Sequence, residues 1–325
     1  MSGIKEVIVE TRARLHLGFL DMNFGLGRRF GSLGLTIDKP ATRLRLTSEP
    51  VGGGLSSEKA SSILQALRNH YPGRTAPYLH IEKTIPTHAG LGSGTQFALA
   101  IGAAFSALHG LPLDARKMAS ILDRGARSGI GIGAFERGGF LVDGGRGPSG
   151  NPAPIVSSMP FPEYWRVLLV FDGLLAGVHG DEERSAFTSM QPAPKEMADD
   201  FCRLTLLKIL PALAEREFQP FAEGIRAIQD GMGALFAPYQ GGTGFRSPRV
   251  REVLAWLDTR GINGSGQTSW GPTGFAFLAP EIIPGGNCEA FLEEIRNEFA
   301  HESALRFDLV KGFNEGAAVT ARPWD

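Results

Sequence analysis

Residues 86–102, P-T-H-A-G-L-G-S-G-T-Q-F-A-L-A-I-G, place a loop holding Gly90, Gly92 and Gly94 directly before an apolar-periodic helix. Glycines let the backbone reach positive φ and approach a ligand closely. A helix start leaves its first N–H groups without internal partners and adds positive dipole character. Together these describe a pocket for a phosphate-sized anion. Ser93 and Thr95 add hydroxyls that can touch a phosphate or a magnesium ion, and His88 lies within the same loop. Two better-known phosphate loops are excluded by spacing. Gln96 stands where a Walker loop needs lysine, and the three glycines lack the further glycine of the dinucleotide fingerprint.

The form P-x-x-x-G-L-G-S resembles the second motif of the GHMP superfamily of small-molecule kinases, matched by Pro86, Gly90, Leu91, Gly92 and Ser93. Gly94 departs from it by lacking a second serine hydroxyl. A later run, Gly264 to Leu278 (G-S-G-Q-T-S-W-G-P-T-G-F-A-F-L), resembles the late glycine loop of the same superfamily. There Gly271, Pro272 and Thr273 supply turn chemistry, and Phe275 to Leu278 an apolar strand. Many GHMP kinases carry S-G-x-D centrally, the aspartate serving as base toward an alcohol. The corresponding run here is Ser128, Gly129, Ile130, Gly131, with glycine in place of the carboxylate. Phosphoryl transfer to an alcohol benefits from a positioned proton acceptor, so the kinase reading is weakened.

Thr11 to Asp38, T-R-A-R-L-H-L-G-F-L-D-M-N-F-G-L-G-R-R-F-G-S-L-G-L-T-I-D, narrows the choice. With the other two motifs it resembles the β-ribofuranosylaminobenzene 5′-phosphate synthases, a non-kinase branch of the superfamily belonging to methanopterin biosynthesis. The resemblance implies condensation of phosphoribosyl pyrophosphate with 4-aminobenzoate or 4-hydroxybenzoate, with loss of carbon dioxide and pyrophosphate. It implies Mg2+ as cofactor, a homodimer, and an α+β fold: an N-terminal GHMP domain (residues 1–160) and a ferredoxin-like C-terminal domain (161–325). It also carries catalytic importance onto Asp21 and Arg28. Asp21 would hold the metal or stabilise a cationic sugar, and Arg28 would bind a phosphate or the benzoate carboxylate. By themselves Asp21 and Asn23 read as turn residues, and Arg28 and Arg29 as a solvated pair.

His88, Gly90, Gly92, Ser93, Gly94 and Thr95 are the expected phosphate ligands, stabilising the departing anion together with the metal. Gln267, Ser269 and Trp270 are the expected lining for the aromatic acid, with the indole stacking on its ring. His16, in the strand pattern R-L-H-L-G, reads as a structural histidine facing opposite to Leu15 and Leu17. His179, beside Asp181, Glu182 and Glu183, reads as a metal cluster or as helix-start carboxylates complementing the dipole. No histidine spacing resembles a zinc site. Two rival readings are an ATP-dependent GHMP kinase and a non-catalytic sensor of nucleotide or sugar phosphate.

Composition fits this picture. A chain of 325 residues with 42% hydrophobic and 21% charged residues can bury a large core. Its net charge of −1 gives no whole-protein attraction to nucleic acid or membrane. Two cysteines, Cys202 and Cys288, make no disulfide framework and suit a reducing cytoplasm. Charges at Lys5, Glu6 and Glu10 interrupt the N-terminus, so no secretory leader is expected. Strands are predicted over Glu6–Glu10, Arg12–Leu17, Ala41–Thr47, Tyr78–Ile85, Arg166–Phe171 and Leu305–Val310. Helices are predicted over Glu58–Asn69, Gly94–His109, Asp114–Arg127, Asp199–Leu213, Pro220–Leu235, Arg249–Arg260 and Asn287–Ala300. The glycine- and proline-rich passage Gly138–Pro162 is the predicted boundary.

Overall fold

A computed structural model describes residues 4–50, 57–177 and 180–323. The first sheet is built on two long strands, β1 (Ile4–Asp21) and β2 (Phe30–Thr47), paired antiparallel. Helix α1 (Glu58–His70), strand β3 (Tyr78–Lys83), and helices α2 (Ser93–Leu108), α3 (Ala115–Ile121) and α4 (Ile130–Glu136) follow. Strands β4 (Phe140–Asp143) and β5 (Ile155–Met159) complete this half. The second half runs β6 (Arg166–Asp172), α5 (Gly180–Ser189), α6 (Lys195–Leu204), a π-helical turn (Thr205–Ile209), α7 (Leu210–Glu215), α8 (Phe218–Phe236) and α9 (Pro248–Asp258). It closes with β7 (Ser265–Gln267), β8 (Gly274–Leu278), α10 (Cys288–Glu298), β9 (Leu305–Val310) and β10 (Ala318–Pro323).

The six-stranded sheet has the order β10-β1-β2-β4-β5, and β3 shares the outer edge of β2 with β4. The four-stranded sheet has the order β7-β8-β6-β9, every neighbour antiparallel. Counting β6, β7, β8 and β9 as first to fourth, that is the order 4-1-3-2 of a β-α-β-β-α-β ferredoxin-like unit. The α+β fold expected from the motifs is the fold found.

Several element expectations needed correction. Glu6–Glu10 and Arg12–Leu17 are one continuous strand. The helix expected over Asp114–Arg127 stops at Ile121, because Asp123 and Gly125 both take positive φ. The passage Gly138–Pro162 carries β4 and β5 inside the first sheet. The Asp199–Leu213 helix is interrupted by the π-helical turn. Leu305–Val310 is not the last strand, since β10 returns to pair with β1.

A register break in the β1–β2 pair orients the site. Pairing moves from Arg12 with Ala41 to Arg14 with Thr36, leaving extra β2 residues between. Before the break, Val7 and Val9 pack with α1, α2 and α3; after it, Leu15, Leu17 and Phe19 join the core shared with β6 and α8. Bulges of this kind re-aim side chains. Here odd-numbered residues exchange cores, and Arg14 and His16 are delivered to the front of α2. That helix is buried almost all round, from Gln96 to Ser106, as expected of a central helix. Its register against the sheet is fixed by Gln96, which accepts from Thr11 Oγ1 and donates to Gly131 O at 2.6 Å.

Candidate active site

The two glycine loops, about half the chain apart in sequence, are interlocked. Gly90 has φ +75°, and a Cβ there would lie 2.4 Å from Thr268 O, so only glycine lets the loops meet. Thr268 Oγ1 donates to Gly90 O at 3.0 Å and accepts from His16 N at 3.0 Å. Arg14 Nη1 donates to the same carbonyl at 2.6 Å, and Gly177 N donates to His88 O at 2.8 Å. The loop then turns through Gly92, also at positive φ, into α2, whose start has no side-chain cap. Thr95 N and Gln96 N turn back to Gly92 O, each at 3.1 Å, which leaves the amides of Ser93 and Gly94 at the helix start without an intrahelical acceptor.

In front of them lies a cleft of about 210 Å³. Arg14, Arg124 and Arg127 line it, and among the described residues Asp123 is its single carboxylate. Thr95, His16 and Ser269 supply further polar groups, and Phe19, Phe187 and Trp270 an aromatic wall. Lys59 stands beside it, its Nζ 3.5 Å from where a Gly94 Cβ would sit. Burial, and then the neighbouring Arg124 guanidinium, hold the Lys59 ammonium below the usual lysine range. The cleft is thus strongly cationic, on a chain of net charge −1. His88, Asp123 and Ser269 all adopt left-handed backbone without being glycine, at φ +58°, +51° and +56°. Such strain concentrates at ligand sites.

His16 is buried in the wall of this cleft. Burial first, then Arg14 and Arg127, push its pKa down to about 3, so the imidazole is neutral at physiological pH. Its Nε2 has no hydrogen-bond partner. Trp270 is stacked on Phe236, with centroids 4.2 Å apart, and meets Phe187 edge-on. Behind the cleft, His16, Phe19, Ser269 and Trp270 also wall a second cavity of about 20 Å³.

Asp143 organises the opposite rim. Its carboxylate accepts from Ser128 Oγ and from the amides of Gly129 and Gly145, fixing the turn into α4. Burial pushes its pKa up, and those amides oppose the rise.

The structure brings Thr95, Ser269 and Trp270 to one cleft, with Gly90, Gly92, Ser93 and Gly94 at its α2 edge. Gln267 lines only the smaller cavity, its amide engaged by Arg246 N, Gln240 and Ser269 O. His88 is exposed at the loop's outer turn. Asp21 and Arg28 lie in the β1–β2 hairpin and not on the lining of the cleft. Asp21 accepts from Asn23 N and Phe24 N, while Arg28 donates to Gly144 O and Gly145 O. His179 lies outside the described residues. Among the described residues no group of three metal-ligating side chains is assembled. Sequence reading missed Arg14, Lys59, Asp123, Arg124 and Arg127, and took His16 as structural. The D-R-G-A-R run at 123–127 carried the signal: charges flanking a glycine that ends a helix.

Residues 58–139 match the GHMP kinases N terminal domain family. The β-ribofuranosylphenol 5′-phosphate synthase of Methanothermobacter thermautotrophicus is 30% identical over 89% of this chain and 93% of its own length. The enzyme of that name from Archaeoglobus fulgidus is also 30% identical, over 96% of this chain and 98% of its own. The chain belongs to the β-ribofuranosylphenol 5′-phosphate synthase family. It is therefore an enzyme. Among solved structures, mevalonate diphosphate decarboxylase from Enterococcus faecalis superposes with a TM-score of 0.67 at 17% identity, covering 98% of this chain and 100% of that one. Mevalonate-3-kinase from Thermoplasma acidophilum gives 0.64 at 12%, covering 99% and 100%. These two share the fold. In this synthase-family chain Gly131 packs on the first turn of α2, where a Cβ would sit 3.0 Å from Thr95 Cγ2. Residue 131, where the resemblance places the base of many GHMP kinases, therefore faces the glycine loop and carries no carboxylate.

Proposed function

We propose that this enzyme joins phosphoribosyl pyrophosphate to 4-hydroxybenzoate, or secondarily 4-aminobenzoate, releasing carbon dioxide and pyrophosphate. The product is a β-ribofuranosyl-arene 5′-phosphate of the methanopterin pathway. One observation carries the reading: a cationic cleft at an uncapped helix start adjoins an aromatic wall, with glycine at 131. As C1′ loses its diphosphate, negative charge grows on the leaving group and the ribose gains oxocarbenium character. Amides from Gly90 to Gly94 and the Thr95 hydroxyl, with Arg14, Arg124 and Arg127, would stabilise that anion electrostatically. Neutral His16 adds no further positive charge beside the cationic sugar. Ser269 and Trp270 would hold the arene with the carboxylate-bearing carbon toward C1′.

Magnesium fits as an ion carried by the diphosphate, because Mg2+ takes few protein ligands and keeps substrate phosphates and waters. Asp123 and the hydroxyls of Ser93 and Thr95 would offer it protein oxygens, and the ion would neutralise charge on the leaving group. Asp21 and Arg28 would act through the hairpin, Arg28 by holding the loop after β4. We further propose a homodimer acting in the cytoplasm, with the cleft between the units 1–160 and 161–325. Adjacent exposed Leu206 and Leu207 support an association surface. Both cysteines are free, and no described helix is long and apolar enough to cross a membrane.

Incubation with phosphoribosyl pyrophosphate, Mg2+ and carboxyl-labelled 4-hydroxybenzoate should release labelled carbon dioxide and pyrophosphate in equal amounts. Transfer of phosphoryl from ATP to an alcohol, with activated ribose untouched, would overturn the proposal.

A further inference from the structure

We infer that His16 and Trp270 read the para substituent of the aromatic acid inside the small inner cavity, and that they select hydroxyl over amino. This rests on the phosphoribosyl-transfer reading above. The smaller cavity, about 20 Å³, shares His16, Phe19, Ser269 and Trp270 with the cleft. A single water needs roughly 10–15 Å³, so the space matches one hydroxyl or amino group in size. If the carboxylate-bearing carbon faces C1′ in the cationic cleft, the para position points the opposite way, into this recess.

His16 and Trp270, both of which line the two cavities, each hold a buried nitrogen with no partner: Nε2 on a histidine 5% exposed and Nε1 on a tryptophan 2% exposed. Buried polar atoms are satisfied as a rule, so two orphans on residues that line one cavity point to a partner that arrives with the ligand. The remaining amides there are occupied. Gln229 bonds Leu17 O and Gln267 N, while Gln267 bonds Arg246 N, Gln240 and Ser269 O.

An indole N–H only donates, and a neutral imidazole in its Nδ1–H form accepts at Nε2. A phenolic hydroxyl can accept from Trp270 and donate to His16 at once. An aniline nitrogen can donate to His16, but its lone pair is drawn into the ring and accepts poorly, which leaves the indole unpaired. The same contact helps the reaction. The C1′–O bond breaks with its electron pair going to diphosphate, and a ring π pair forms C1′–C at the carboxylate-bearing carbon. Positive charge moves to the para oxygen and strengthens its hydrogen bond to His16. The carboxylate C–C pair then returns to the ring as carbon dioxide leaves, and the hydroxyl keeps its proton.

Calorimetry on the whole protein with 4-hydroxybenzoate, 4-aminobenzoate, benzoate and 4-methoxybenzoate tests this. The wild type should prefer 4-hydroxybenzoate over benzoate by on the order of 10²-fold and should refuse 4-methoxybenzoate. His16→Leu and Trp270→Phe should each bring the hydroxybenzoate-to-benzoate ratio toward one. Should a variant fail to fold, the wild type still decides. The ¹⁵N resonance of His16 Nε2 should move on binding 4-hydroxybenzoate and stay put with benzoate. If riboside forms but 4-methoxybenzoate competes equally, or the resonance ignores the hydroxyl, this inference falls and the reaction stands. If no benzoate is turned over with phosphoribosyl pyrophosphate, the reaction itself is wrong.

Discussion

Replacing His16 by leucine should remove an acid-sensitivity that can be sized in advance. Folded, the imidazole titrates at about 3, against an ordinary value of 6.5, because it is buried between two arginines. The sign follows from proton counting. Above pH 6.5 neither state binds the proton and nothing is lost. Between 6.5 and 3 the unfolded chain gains a proton that the folded chain refuses, so stability falls with falling pH. Below 3 both states are protonated and the slope vanishes. At about 1.4 kcal/mol per unit, His16 removes about 3 kcal/mol of stability between pH 7.5 and 4.5. That figure scarcely changes if the folded value lies anywhere under 4. Urea unfolding of wild type and His16→Leu at several pH values gives the difference directly, with carboxylate contributions cancelling. The leucine variant should gain about 3 kcal/mol on the wild type across that range. A difference that stays flat with pH would mean that His16 is protonated or hydrated in the folded chain, and the neutral imidazole would have to be abandoned.

Gly90→Ala should cost roughly 1–2 kcal/mol for the left-handed backbone, plus whatever is needed to move its Cβ off Thr268 O. Melting temperature and turnover should both drop, and unchanged turnover would deny that the interlocked loops make the site. Gln96→Leu strands the buried Thr11 hydroxyl and Gly131 carbonyl and should cost about 2–4 kcal/mol in chemical denaturation. Arg127→Gln should raise KM for phosphoribosyl pyrophosphate about tenfold or more and flatten its dependence on ionic strength, with little change in KM for the benzoate. Arg28→Gln should lower turnover by releasing the loop at Gly144 and Gly145; near-wild-type turnover removes Arg28 from consideration.

The parts legible in sequence were those whose physics is local. The glycine loop, the uncapped helix behind it and the late G-P-T turn are each fixed by a few neighbouring residues, and the structure joins them through Gly90 and Thr268. What stayed hidden depends on pairing across the chain. Arg14 and His16 reach the cleft because of a register break whose extra residues lie on the other strand, around Ile37 to Pro40, and a single-strand pattern cannot reveal that. Arg124 and Arg127 were absorbed into a helix extended past its end at Ile121. Strand β10 is exposed along its whole length and shows no apolar alternation, so only its ladder to β1 defines it.

On the proposed reaction, glycine at 131 has a physical consequence. Its Cβ position faces Thr95 on the first turn of α2, beside the amides that would receive the diphosphate. A carboxylate there, within about 5 Å of that anion at an effective dielectric near 20, would oppose binding by about 3 kcal/mol per charge pair. A kinase gains from such a group because it accepts the proton of an attacking alcohol. An arene that attacks through a ring carbon has no such proton to surrender, so the carboxylate would only repel the leaving group. On the proposed reaction, the same helix start would serve a departing diphosphate with no carboxylate at residue 131 to oppose it.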